Sequence, residues 1–110
     1  MTDFVKAFNE EAERNFRVAK DHGWWEGEIN DGEKIALMHS ELSEALEVLR
    51  QGDTNSAHIY GFTAMEEELA DAVIRIMDYA LYRNLRLAEA IQAKREFNST
   101  RPFKHGGKRF

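Results

Sequence analysis

A chain of 110 residues, 43% hydrophobic and 32% charged, is long enough for one core and too apolar to stay disordered. It contains no cysteine, which excludes disulfides, thiolate metal sites and a cysteine nucleophile, and fits a cytoplasmic setting. The formal net charge of −5 argues against general nucleic-acid binding, and no apolar run of about 18 residues points to a membrane.

One proline and seven glycines predict long uninterrupted helices. The expected fold is all-α, a four-helix-bundle-like single domain over residues 1–110 with a basic tail at 101–110. The first helix is predicted from about Asp3 to Lys20, with Phe4, Phe8, Ala12, Asn15 and Ala19 on one face and Phe16 beside it. Asp21-His22-Gly23 ends it, the glycine acting as a left-handed stop. Two tryptophans follow, Trp24 and Trp25. Adjacent side chains diverge, so one is available to the core and the other to a ligand ring.

A second helix is predicted from Asn30 or Asp31, either of which can cap it, to about Arg50. Ile35, Met38, Leu42, Ala45, Leu46 and Leu49 form its expected buried stripe, with Glu41, Glu44 and Glu47 on an adjoining face. The loop after it opens like a calcium site at Asp53-Thr54-Asn55. Ala57 and His58 then stand where an oxygen ligand and a glycine are needed, so that reading fails.

The third helix is predicted over Thr63–Arg83, with Thr63 and Glu66 as a capping box. Leu69, Val73, Ile76, Met77 and Ala80 make its expected core stripe, and Ala70 and Ala72 permit close helix approach. Glu68, Asp71, Arg75 and Asp78 run along one side. A fourth helix covers about Leu87–Asn98, where Lys94 and Asn98 share a face, and Arg101-Pro102 ends it. Residues 94–110 carry six cations against Glu96 alone, so this end is +5 and residues 1–93 are −10.

The chemistry concentrates in two acidic couplets, Glu41-x-x-Glu44 and Glu68-x-x-Asp71. Residues three apart share a helix face. Two such helices side by side aim four carboxylates into one volume, where mutual repulsion and burial both disfavour the charged forms. A solvated acidic face has a similar pattern, but these couplets are immersed among apolar residues. A hard divalent cation suits such all-oxygen ligands, which points to Mg²⁺ or Mn²⁺. Other sites fail on their residues. His39-Ser40-Glu41 lacks the cysteines of a zinc deaminase. Gly106-Gly107-Lys108 lacks the rest of a phosphate loop. No histidine stands three residues after a motif glutamate, as a di-iron site requires. A hard cation with Lys94, Arg101 and the tail nearby suits hydrolysis of a phosphate ester or anhydride.

These residues resemble the metal motif of the all-α nucleoside triphosphate pyrophosphohydrolases, the MazG-like and dCTPase/dUTPase-like superfamily. The surroundings Leu37–Glu47 and Glu67–Arg75, and the ending Lys94, Asn98, Arg101-Pro102 and His105–Lys108, are similar to small stand-alone, phage-type members. The resemblance runs from about Trp24 to the C-terminus. It implies Mg²⁺-dependent hydrolysis of nucleoside or deoxynucleoside triphosphates to monophosphate and pyrophosphate by a homodimer or homotetramer with sites between subunits. Glu41, Glu44, Glu68 and Asp71 match the metal ligands. Trp25 matches an aromatic of the base pocket, and Lys94 and Asn98 match nucleotide-contacting positions, with Arg101 and Lys104 beyond them. Some relatives carry a catalytic glutamate where Ser40 stands here. The base is then left to a motif carboxylate, Glu41 or Glu44. Two alternatives stay open: a non-catalytic bundle that binds nucleotide or a partner, and nucleic-acid binding through the tail.

Overall fold

Helices account for nearly all regular structure in the computed structural model, which describes residues 1–110. Helix α1 spans Asp3–Asp21, α2 Asp31–Gln51, α3 Ala64–Tyr82 and α4 Leu87–Ser99, and a single turn, α5, covers Lys104–Gly107. The protein is all-α. The first three helices begin where side chains satisfy their free N–H groups. Thr2 accepts from the Val5 N–H, and Asn30 accepts from the Glu33 N–H at 3.0 Å. Thr63 and Glu66 form the expected reciprocal capping box. Each cap stabilises its helix by about 1 kcal/mol. The turn in the tail was not expected, and it holds His105 and Gly106 at φ of 52° and 93°.

The loop between α2 and α3 is tied down by local bonds. Asn55 and Thr63 form an antiparallel bridge, and Ser56 N–H donates to the Phe62 carbonyl at 2.8 Å. Ser56 Oγ and His58 Nδ1 then bond the two oxygens of Glu67 at 2.6 and 2.7 Å. Asp53, which heads the calcium-like stretch, accepts from the Met65 N–H at the start of α3. Its role in the fold is to hold a helix end.

Packing runs in a row: α2 lies against α3, α3 against α1, and α1 against α4. No comparable packing joins α4 to α2 or α3. The buried residues are Val5, Ala12, Ala45, Ala72, Met77, Ala80 and Ala88, with two acids, Glu41 and Asp78. Small residues dominate this set because the helices meet closely at their alanines. Ala72 is one of these, whereas Ala70 is exposed.

The expected core stripes need correction. Ile35, Leu42, Leu46 and Leu49 on α2, and Leu69, Val73 and Ile76 on α3, are 37–58% exposed. Periodicity identifies an apolar face but not its partner, and α2 and α3 each carry more apolar width than their neighbours cover. The chain exposes 8650 Å², against about 6300 Å² for a compact monomer of this size.

Candidate metal centre

The two couplets meet where α2 packs on α3. Carboxylate oxygens of Glu41, Glu44 and Glu68 all lie within 4.8 Å of one another. At an effective dielectric of about 20, each ionised pair at that distance repels by about 3 kcal/mol. Asp71 stands outside this trio, one helical turn along α3 from Glu68. It still feels the charges of Glu41 and Glu44.

Protonation follows from this crowding. Burial pushes the Glu68 carboxyl up to about 7, helped by Glu44, which is close enough to share its proton, and then by Asp71 and Glu41. Asp71 is raised as well, first by burial and then by Glu41, with Arg75 opposing. Glu68 Oε2 is buried and has no hydrogen-bond donor in the protein.

One cation pairs with these acids. Arg75 Nε donates to Glu41 Oε1 at 2.6 Å, and Glu41 is only 8% exposed. Arg75 lies four residues after Asp71, which was the signal for it: a single arginine in an otherwise acidic stripe. The sequence could not show that it reaches across to α2. The Ser40 hydroxyl donates to the Leu37 carbonyl at 2.7 Å within its own helix.

Beside the acids opens a cavity of about 450 Å³, with Glu41 and Asp71 on its wall together with Trp24, Trp25, Arg75 and Asp78. Trp25 is packed. Tyr82 stacks on it at 4.5 Å and 17°, Phe16 lies 5.4 Å away, and Lys34 Nζ sits 4.3 Å from the ring centroid. Trp24, 57% exposed, presents its ring more openly. Asp78 was read from sequence only as part of a charged stripe, yet it is buried and its carboxyl is pushed up to about 6 by burial, against the pull of Arg75 and Lys34.

The basic arm lies elsewhere in the chain. Lys94 and Asn98 flank a shallow groove along α4 with Leu87 and Ile91, and Lys94 and Arg101 both lie over the Phe97 ring. Neither they nor Lys104 line the cavity beside the acids. One chain thus brings together the acids and the tryptophans, but not the acids and the arm. No family model, curated protein or solved structure matches this chain.

Proposed function

We propose that this protein is a nucleoside triphosphate pyrophosphohydrolase that uses a divalent cation held between α2 and α3. The observation that carries this reading is the gathering of Glu41, Glu44 and Glu68, with carboxylate oxygens within 4.8 Å of one another, while one oxygen of Glu68 is buried without a hydrogen-bond partner. A fold retains such a group at a cost unless a ligand offsets it. The donor set of Glu41, Glu44, Glu68 and Asp71 is all oxygen, which fits Mg²⁺ or Mn²⁺ better than a soft metal. Such a cation would polarise a phosphoryl oxygen and lower the pKa of an attacking water. Arg75 offsets the charge of Glu41 and holds its carboxylate in place, and Glu44, the exposed member of the trio, would take the proton from water. The resemblance to MazG-like proteins agrees with this arrangement.

Substrate phosphates also need cations, and Lys94, Asn98, Arg101 and Lys104 are the available donors. Since they do not line their own chain's cavity, the reading includes an oligomer in which the arm of one copy serves the acids of another. The apolar residues left open on α2 and α3 supply a surface for that assembly. Its expected form is a dimer or tetramer.

The Arg75–Glu41 pair favours a second reading, in which the arginine replaces the metal and the bundle binds nucleotide without turning it over. A malachite-green assay with added pyrophosphatase separates the two across a dNTP panel. Phosphate appearing only when both pyrophosphatase and Mg²⁺ or Mn²⁺ are present supports hydrolysis. No turnover of any nucleotide with either metal leaves the binding reading.

A further inference from the structure

Of the two buried acids, Glu41 belongs to the acidic trio and Asp78 does not. Asp78 is 6% exposed, and its Oδ1 accepts no hydrogen bond. None of the four ion pairs of the protein includes it. An unpaired buried carboxylate is costly to a fold, and the usual remedy is a cation. The charges of Arg75 and Lys34 both reach Asp78. Lys34 is committed: its Nζ donates to the Trp24 carbonyl at 3.0 Å and lies over the Trp25 ring. Arg75 precedes Asp78 by three residues on α3, so the two are neighbours on one helix surface, and both line the same cavity. Its guanidinium makes one hydrogen bond, from Nε to Glu41 on the facing helix at 2.6 Å. One arginine thus has a buried acid on either side and serves only the one that belongs to the trio.

We propose that Arg75 is a placeholder for the metal, holding Glu41 until a divalent cation takes that carboxylate and then moving to Asp78, the positioning residue that receives it. The inference rests on the metal reading above and deepens it by naming what the site does on loading. A cation bound by Glu41, Glu44 and Glu68 brings two positive charges beside a guanidinium already seated on Glu41, and at such spacing they repel. The move needs only side-chain rotation, because residues three apart on a helix are within reach of one another. The Arg75 side chain is 31% exposed and borders the cavity, so it is not packed in place. Charge is better matched afterwards. With metal on Glu41 and Arg75 on Asp78, neither buried acid lacks a positive partner, whereas the metal-free protein always leaves one without. The move also carries a signal of its own. Arg75 now lies over the Trp24 ring, 5.8 Å from its centroid, and leaving it changes the field on that indole.

Metal titration of the full chain without any nucleotide tests this. At pH 8 the wild type is titrated with Mg²⁺ while ¹H–¹⁵N NMR follows the Arg75 Nε–H and the Trp24 indole N–H. Both signals should shift together, with the midpoint that calorimetry gives for metal binding. In Asp78→Asn the displaced guanidinium finds no charge, and Mn²⁺ affinity by calorimetric titration should fall about tenfold. Asp78 is also a negative charge acting on the metal through space, and a second background separates the two effects. In Arg75→Met there is no arginine to receive, so adding Asp78→Asn should change Mn²⁺ affinity by no more than about twofold. A tenfold loss in both backgrounds overturns the proposal, since Asp78 would then act on the metal and not on Arg75. An Arg75 signal that stays in place while calorimetry reports bound metal overturns it as well, on the wild type alone, and leaves the metal reading standing. Neither heat nor shift with Mg²⁺ or Mn²⁺ removes both.

Discussion

Replacing Glu68 with glutamine removes a charge that the metal-free fold holds at a disadvantage. The Glu68 carboxyl is raised from 4.5 to about 7, so the folded protein binds its proton more tightly than the unfolded chain does. The protein therefore loses stability as pH rises from about 4.5 through about 7, and the loss is complete above that range. Each pKa unit corresponds to about 1.4 kcal/mol, which makes the whole shift worth about 3 kcal/mol. Partial solvent access and the proton shared with Glu44 reduce this to about 2 kcal/mol. Glu68→Gln should then raise the melting temperature of the metal-free protein by about 8 °C at pH 8, with no gain at pH 4. The same change removes a ligand, so 5 mM Mg²⁺ or Mn²⁺ should stabilise the wild type and not the variant. Calorimetric melting at both pH values, with EDTA and with metal, reads all of this. A variant no more stable than the wild type at pH 8 in EDTA would refute the reasoning.

The Arg75–Glu41 ion pair gives a change of opposite sign. Arg75→Met leaves Glu41 buried without its partner and should destabilise the metal-free protein by about 2 kcal/mol. Because it also removes a competing cation, Mn²⁺ should bind the variant more tightly in a calorimetric titration. Leu46→Lys on the open face of α2 should lower the mass seen by light scattering to that of one chain. On a protein that works as a monomer, the same exposed substitution would shift stability by less than about 0.5 kcal/mol and leave the mass unchanged. Deleting residues 101–110 should raise KM for triphosphate about tenfold in steady-state assays and hardly move the melting temperature, since nearly all of these residues are exposed.

Local chemistry was legible in the sequence, and tertiary choice was not. The caps at Asn30 and Thr63 are nearest-neighbour effects, so composition and spacing sufficed to place α2 and α3. The i, i+3 couplets likewise put Glu41, Glu44 and Glu68 within reach of each other once α2 met α3. Periodicity could not tell that Leu42, Leu46 and Val73 would be left open, because it marks an apolar face without naming what covers it. The pairing of Arg75 with Glu41 spans 34 residues and depends on the rotation of two helices about their axes. For the tryptophans, adjacency predicted divergence but not direction. Trp25 went into the aromatic cluster with Phe16 and Tyr82, and Trp24 to the cavity mouth. A basic arm on α4 was likewise readable as charge, while its separation from the acids follows from α4 packing chiefly on α1.

Hydrolysis in ¹⁸O-water with Mg²⁺, followed by ³¹P NMR, tests the central claim most directly, because one spectrum reports both turnover and the bond broken. Attack at the α-phosphorus predicts a monophosphate carrying the label, shifted upfield by the heavier oxygen, and an unlabelled pyrophosphate. Label in the pyrophosphate or in free phosphate, or an unchanged triphosphate with both Mg²⁺ and Mn²⁺, would contradict it.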